Sequence, residues 1–522
     1  MVTFWIVVVV TGLLYRLLSR AALTPEKSPA TRVLTLLRHL LVVPATFGYK
    51  KAQPFSWFTV PPRVQSAALV AFVGINVWYT VAGYYFTDRN IYFPTLEKQV
   101  WRYISDRTGI LSYANFPLIW LFGLRNNLLL WLTGWDFGAY NNFHRWVARV
   151  STVHAIIHSV GYTVLVFIDG GWPYFWFFFW QFFWWTGEIA TVAMCALLLL
   201  SLFFMRRNYY EVFLALHIVL SVAVLYCMWA HLTIFDGRFG FVIWTCSLLW
   251  LSDRLLRAAR ILAFNPIFIQ PVRAAVSFSP TANIISLRIP CGRALYAPPP
   301  GSFYYIYVLN GPRFWESHPF TAARVPVSPH ASSSDAVPLL GAAAAQDLDF
   351  LIRPYDGFTA RLAQLAGRHV RVLVEGPYGA PPPLQRFAQT LFVVGGSGIV
   401  VPTSFAAQLV AARRRVRVIW AVREVQLARA VLKELEALED VEVHVYVTGE
   451  EDGLEDVKAH GVSVVKGRPD VGWEVQEAAR EGSTAVVACG PGVMADEARR
   501  AVVDVLRRGY SGTEYFEEAF NW

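Results

Sequence analysis

The sequence predicts two kinds of structure in one chain. An α-helical transmembrane bundle of about seven helices occupies residues 1–262, and a water-soluble module follows, made of an antiparallel β-barrel (263–385) and an α/β domain with a parallel sheet (386–522). Three observations carry this division. Of 522 residues, 55% are hydrophobic and only 16% charged, with mean hydropathy +0.39, where an average soluble domain carries roughly 25% charged residues. Apolar stretches of about 20 residues, long enough to span a bilayer, recur at 3–19, 64–86, 111–133, 144–167, 184–205, 210–232 and 239–260. Charge is also divided: 21 Lys+Arg and 10 Asp+Glu fall before residue 263 and 25 and 27 after it, so the net +9 is +11 in one part and −2 in the other. A single soluble globule is excluded, and the basic surplus belongs to membrane topology and membrane lipid rather than to nucleic acid.

The first apolar run has no basic residue before it, and Arg16 and Arg20 follow it, which favours an anchor with its N-terminus outside over a signal peptide. With that orientation the cytoplasmic segments should be basic. Segment 20–63 holds Arg20, Lys27, Arg32, Arg38, Lys50, Lys51 and Arg63 against Glu26 alone; the fifth-to-sixth turn holds Arg206 and Arg207, and the last helix exits through Arg254, Arg257 and Arg260. The soluble half is therefore expected in the cytosol. The aromatic run Trp172 to Trp185 then falls at the outer interface, where amphipathic rings prefer to sit.

Five of the eleven histidines, His144, His154, His158, His217 and His231, lie in the apolar helices. Imidazole is costly in hydrocarbon without a partner. His144 and His158 are 14 residues apart, as are His217 and His231; 14 helical steps rise about 21 Å and return to within about 40° of the same face. Each helix thus offers one histidine near its inner end and one near its outer end. The two helices run in the same direction, so His144 is level with His217 and His158 with His231. Two stacked bis-imidazole sites fit six-coordinate haem iron, which favours electron transfer over ligand chemistry. His154, one turn from His158, has no partner at its depth and is expected either to support a neighbouring ligand or to be structural. Arg145 and Arg149 sit at the inner level, as partners of haem propionates or as ordinary interfacial cations.

From about residue 265 short strands rich in β-branched and aromatic residues alternate with Pro and Gly, as at Ile284 to Ile289 and Phe303 to Leu309, the pattern of a small antiparallel barrel. Segment 325–346, rich in Ser, Pro and Ala, reads as an insertion. Strands then alternate with helices: Thr390 to Val394, 402–414, Val416 to Val422, 425–438, Val441 to Val447, and Ala485 to Ala488 with a helix after it, which implies a parallel sheet. Gly395-Gly396-Ser397-Gly398 joins a strand to a helix, where backbone amides meet a pyrophosphate. Cys489-Gly490-Pro491-Gly492 ends another strand on the same edge. Arg423, after Val416 to Val422, is placed to meet a ribose 2′-phosphate, which favours NADPH. The five cysteines, Cys195, Cys227, Cys246, Cys291 and Cys489, contain no CxxC pair and suggest neither disulfides nor a zinc site.

These residues carry a family resemblance over nearly the whole chain. Asn126-Asn127, Leu132-Thr133-Gly134 and Phe143-His144-Arg145-Trp146, with His154 and His158, resemble the signature of fungal-type ferric reductases, in the superfamily that includes the NADPH oxidases. The resemblance implies two b-type haems on His144, His158, His217 and His231, and a ferredoxin-reductase-like module holding FAD and NADPH. His318-Pro319-Phe320-Thr321 is similar to the family's flavin motif. Gly376-Pro377-Tyr378-Gly379 and Gly395 to Gly398 resemble its pyrophosphate loops, and Cys489-Gly490-Pro491 its segment near the nicotinamide. The ending Phe516 to Trp522 resembles the terminal motif whose last aromatic stacks by the flavin, so Trp522 and Cys489 are the residues expected at the hydride-transfer site. Pro402 comes one residue later than in the family's compact glycine loop. The long extracellular N-terminal region of many members is missing, so no accessory metal-binding domain is expected. The implied activity moves electrons from cytosolic NADPH through FAD and two haems to extracytoplasmic Fe(III), or Cu(II), chelates. The implied membrane is the plasma membrane, with an iron-uptake protein as a candidate partner. The alternatives are superoxide formation from dioxygen and a nucleotide-regulated channel or transporter without redox activity.

Overall fold

The computed structural model describes residues 1–21, 29–51, 60–265, 272–291, 294–324, 347–436, 441–449 and 462–518. Contacts divide the chain into two compact units, one of residues 1–16 and 56–256, the other of 17–55 and 257–522.

The first unit is helical: α1 (Val2–Ala21), α2 (Pro29–Leu37), which belongs to the other unit, α3 (Arg63–Val81), α4 (Leu96–Ala114), α5 (Phe116–Gly123), α6 (Leu128–Thr133), α7 (Phe137–Phe179), α8 (Phe182–Leu200), α9 (Phe203–Asn208), α10 (Tyr210–His231) and α11 (Gly240–Phe264), whose end passes into the second unit. Among the described residues, α1, α3, α7, α8 and the stretch Tyr210–Phe235 are long and apolar enough to cross a membrane. Helices α4 and α11 reach the length, at 19 and 25 residues, but are more polar.

The expected span 111–133 is corrected. Helix α4 starts at Leu96, capped by the Thr95 side chain accepting from Lys98 N, and stops at Ala114. Pro117 opens the separate short helix α5, as proline suits a first turn and breaks an interior. The chain is extended at Leu124, and Asn126 then donates from both N and Nδ2 to Oδ1 of Asp253, each at 3.0 Å. Hydropathy alone cannot register such a break, because the residues on both sides of it are apolar. The seventh long helix is therefore α4, displaced toward the N-terminus. The aromatic run is also divided: Gly171 adopts φ +61° inside α7, so Trp172–Phe179 leaves the axis of the segment carrying His144 and His158.

Trp5, Phe72, Phe122, Tyr140 and Phe143 interlock in the core of this unit, with Trp5 4.9 Å from both Phe122 and Phe143. Polar bonds cross between helices as well: Ser112 Oγ donates to Ser151 O at 2.9 Å and Ser151 Oγ to Ser112 O at 2.9 Å, tying α4 to α7.

The second unit holds two six-stranded sheets. Strands β1 (Val272–Ser279), β2 (Ile284–Pro290), β3 (Phe303–Val308), β4 (Ser317–Thr321), β5 (Asp347–Ile352) and β6 (His369–Tyr378) pair antiparallel in the order β4-β3-β6-β1-β2-β5. Ala323 N donates to Asp349 O at 2.8 Å, which links the two edge strands and closes the barrel. Strands β7 (Gln389–Gly395), β8 (Arg415–Val422), β9 (Glu442–Val447), β10 (Ser463–Lys466), β11 (Thr484–Cys489) and β12 (Thr513–Glu517) form a parallel sheet in the order β10-β9-β8-β7-β11-β12. The helix Val400–Ala411 follows β7 and Gly492–Arg507 follows β11. β7 and β11 are buried along their whole lengths, as central strands covered on both faces should be. The sequence did not predict β10, β12 or the helix Val471–Glu481. Segment 325–346 lies outside the described residues.

Candidate functional site

In the helical unit the four expected histidines meet in the expected pairs. The ring centroids of His144 and His217 are 6.2 Å apart, and those of His158 and His231 are also 6.2 Å apart. Two imidazoles sharing one metal through bonds of about 2.0–2.1 Å, with about 1.1 Å more from nitrogen to ring centre, have centroids about 6.3 Å apart. The residues therefore fit a bis-imidazole group at each level.

The second nitrogen of each ring sharpens this fit. Nδ1 of His144 lies 2.8 Å from Ile119 O, Nδ1 of His158 2.8 Å from Ser105 O, and Nδ1 of His231 2.7 Å from Phe183 O. A carbonyl only accepts, so each Nδ1 carries the proton and each Nε2 keeps its lone pair for a metal. His154 is different. The Thr80 hydroxyl donates to Asn76 O and so accepts from His154 Nε2, 3.0 Å away; that nitrogen is committed, in agreement with a structural role. Arg145 donates to Asn142 Oδ1, and Arg149 lies 5.0 Å over the Trp146 ring. Beside His158, the Tyr162 ring is 5.0 Å away, its hydroxyl donating to Asp106, which Arg102 Nε also meets at 2.9 Å. Sequence reasoning missed this trio, which α4 and α7 bring together from 60 residues apart.

In the second unit, His318, Pro319, Phe320 and Thr321 form β4, paired with Ile306, Tyr305, Tyr304 and Phe303 of β3. Tyr378 of Gly376-Pro377-Tyr378-Gly379 stacks on Phe303 at 5.7 Å, so both expected flavin segments flank β3. A buried carboxylate fixes this corner. Glu375, fully buried, accepts from Arg257 Nε at 2.8 Å and Nη2 at 3.1 Å, from the Tyr307 hydroxyl at 2.6 Å and from the Tyr378 hydroxyl at 2.7 Å. Arg260 donates to Pro377 O. Arg257 and Arg260, expected as topology-setting charges, thus have defined partners in the barrel.

In the parallel sheet, Val394 pairs with Cys489, which puts the carboxyl ends of β7 and β11 side by side. Here the strand order reverses direction, the position where open α/β sheets bind ligands. A Cβ on Gly395 would stand 2.5 Å from Pro491 Cδ, and one on Gly398 would run into the Cys489 carbonyl. Glycine is therefore required for Gly395 to Gly398 and Cys489 to Pro491 to close on each other. The Cys489 side chain is buried, and desolvation, reinforced by Glu518 and Glu517, pushes its thiol well above the usual range. It stays a neutral thiol, suited to packing rather than nucleophilic attack. Arg423 is exposed just past β8.

Comparison with known proteins follows the same division. Residues 108–228 match the ferric reductase like transmembrane component family, 269–382 a FAD-binding domain family, and 387–503 the ferric reductase NAD binding domain family. Ferric reductase transmembrane component 5 of Saccharomyces cerevisiae is 29% identical, across 99% of this chain and 76% of its own length. Ferric/cupric reductase transmembrane component 2 of the same yeast is 28% identical across 93% and 71%, and ferric/cupric reductase transmembrane component 1 of Candida albicans 28% across 93% and 67%. The chain carries the set of domains found in ferric reductases: a ferric reductase like transmembrane component, a FAD-binding domain and a ferric reductase NAD binding domain.

Of the reductase's expected site residues, Trp522 lies outside the described residues, which end at Glu518. The strand leading toward it, β12, is held by residues sequence reasoning treated only as cytoplasmic charge. Arg38 Nη2 is 3.2 Å from Glu514 Oε2, and Lys51 Nζ is 3.2 Å from Glu517 Oε2. Lys51 N donates to Asp496 Oδ1 at 3.0 Å; Arg499 donates to Val43 O at 2.9 Å and also to Glu517. Burial alone would raise the Glu517 carboxyl, but Lys51 and Arg499 beside it hold it below its usual range. A depressed carboxylate contributes stability that is full above its unfolded pKa and is lost as pH falls through the folded value. Glu517→Gln should therefore lower the thermal midpoint of the reductase at pH 7 by the loss of about 3 kcal/mol or more. The gap to the parent protein should narrow below about pH 4; thermal unfolding in detergent at both pH values checks this.

Proposed function

We propose that this reductase is an NADPH-dependent ferric-chelate reductase of the plasma membrane, with its soluble half in the cytosol and Fe(III), or secondarily Cu(II), as extracytoplasmic acceptor. The observation that carries this reading is the two levels of facing imidazoles, each pair 6.2 Å apart, in one helical unit, on a chain whose other unit has FAD-binding and NAD-binding domains. Basic residues concentrated in segment 20–63 support the orientation, and relatives named ferric/cupric reductases support copper as the second acceptor.

When bound, FAD and two b-type haems supply what side chains lack: conversion of a two-electron hydride into single electrons, and stations for those electrons across the membrane. His144 and His217 would hold the inner haem and His158 and His231 the outer one. Two imidazoles at each level would supply both protein ligands of the group they hold, which would favour electron transfer to the acceptor over its binding to iron. His318 to Thr321 and Gly376 to Gly379 would hold the flavin, with Tyr378 oriented through Glu375. Gly395 to Gly398 and Cys489 to Pro491 would receive the nucleotide, and Arg423 its 2′-phosphate.

Reduction of a Fe(III) chelate by the purified protein with NADPH under strict anaerobiosis should proceed at the aerobic rate; a strict requirement for oxygen would refute the assignment. Nucleotide choice provides a second check. Arg423→Ser should lower kcat/KM for NADPH by about tenfold to hundredfold, the worth of a lost charge-assisted hydrogen bond, with little change for NADH. Trp522→Ser should change turnover or the NADPH/NADH ratio, read in the same steady-state assay.

A further inference from the structure

Three of the four facing histidines are fastened in the same way. The carbonyls that accept from His158, His144 and His231 are those of Ser105, Ile119 and Phe183, and each lies four residues before a glycine in the same helix: Gly109 in α4, Gly123 in α5 and Gly187 in α8. A Cβ on Gly109 would lie 2.5 Å from His158 Nδ1, one on Gly187 2.5 Å from His231 Nδ1, and one on Gly123 3.3 Å from His144 Nδ1.

Helix geometry explains the recurrence. A carbonyl four residues before the glycine already accepts the glycine N–H and has one lone pair left. In a helix, a side chain covers the turn on the N-terminal side of its own Cα. Any residue with a Cβ at these positions would cover that spare lone pair, and glycine leaves it open to an imidazole from the neighbouring helix. Gly109 and Gly123 are 14 residues apart, like His158 and His144, so one antiparallel register serves both contacts. The same step of 14 from Gly187 reaches Ser201, just past the end of α8 at Leu200. Ser201 N donates to Leu197 O at 3.0 Å, so the turn is present, but a residue with a Cβ stands where the other three have glycine, and the buried Nδ1 of His217 has no hydrogen bond among the described residues.

We propose that Gly109, Gly123 and Gly187 are positioning residues for the haems that the reading above assigns to these histidines. By leaving a helix carbonyl open, each lets the ring donate a hydrogen bond from Nδ1, which fixes the plane and tautomer of the ring and holds Nε2 toward the metal. An imidazole that donates from Nδ1 is a more basic ligand and stabilises ferric over ferrous iron. Loss of the bond therefore raises the potential of that haem.

The test is a potentiometric titration of the purified reductase, with low-spin ferric EPR, for Gly109→Ala, Gly187→Ala, Gly123→Ala and Gly74→Ala. Gly74, in α3, has nothing within 4 Å of an added Cβ and serves as the control. Gly109→Ala and Gly187→Ala should raise the midpoint potential and alter the g-values of the same haem, or release that haem alone. Gly123→Ala, with more room, should shift the other haem while retaining it, and Gly74→Ala should shift neither. Two haems with unshifted potentials and spectra in Gly109→Ala and Gly187→Ala would overturn this inference alone, as would equal shifts of both haems in all four variants. A parent protein with no Soret band would overturn it together with the reading it rests on.

Discussion

His231→Ala should leave a reductase that still oxidises NADPH with a flavin-level acceptor but no longer reduces iron across the membrane. His158 and His231 face each other at 6.2 Å, and one imidazole alone would not hold the outer haem proposed between them. The Soret absorbance per flavin should fall to about half in His231→Ala, since one of two haems is lost, and to near zero when His217 is replaced as well. Transmembrane Fe(III) reduction should fall by orders of magnitude in the single variant, whereas NADPH-driven reduction of a soluble dye by the FAD- and NAD-binding domains should keep most of its rate. A full haem complement in His231→Ala would contradict the assignment. His154→Ala is the contrast: its Nε2 is committed to Thr80, so both haems should remain.

The second large effect is expected at Glu375. Its carboxylate is fully buried and takes four hydrogen bonds from Arg257, Tyr307 and Tyr378. Glu375→Ala leaves the largely buried Arg257 guanidinium without its counter-charge, and breaking a buried pair from one side costs about 3–5 kcal/mol. Tyr378, at the end of β6 in the segment proposed to hold the flavin, also loses the acceptor that orients its hydroxyl. Flavin content should drop sharply and the thermal midpoint should fall with it. Glu375→Gln keeps the shape and one accepting oxygen but not the charge, and should lie between. Because removing both charges spares the unpaired ion, Arg257→Leu with Glu375→Leu should recover part of the stability lost in Glu375→Ala. Recovery of stability without recovery of flavin would separate the role of the pair in folding from its role in placing Tyr378.

What the sequence made legible depended on regular spacing. The 14-residue interval in each of two helices was enough to pair four histidines correctly, because helical rise and turn convert spacing directly into depth and face. The glycine loops were legible because each follows a β-rich run, and β7 and β11 place Gly395 and Cys489 on one edge as the strand pattern required. The third apolar span failed for a local reason: Asn115, Pro117 and the turn at 124–127 interrupt a stretch whose hydropathy is continuous. The partners of Arg38, Lys51 and Arg257, and the contact of Asp106 with Tyr162, were not legible, since each joins residues distant in sequence and a charge carries no mark of what it will meet. Gly109 and Gly123 are an intermediate case. Their spacing equals that of His144 and His158, a signal present in the sequence but without meaning until an antiparallel neighbour supplies the register.

In the proposed relay, electrons enter from NADPH on one side of the membrane and leave to iron on the other. Sealed vesicles containing the purified reductase, loaded inside with a membrane-impermeant Fe(III) chelate and a Fe(II) indicator, test it directly. With the soluble half facing outward, externally added NADPH should produce Fe(II) inside at a rate abolished by His231→Ala. Fe(II) formation that requires NADPH and iron in the same compartment, or that persists unchanged in His231→Ala, would contradict a transmembrane relay.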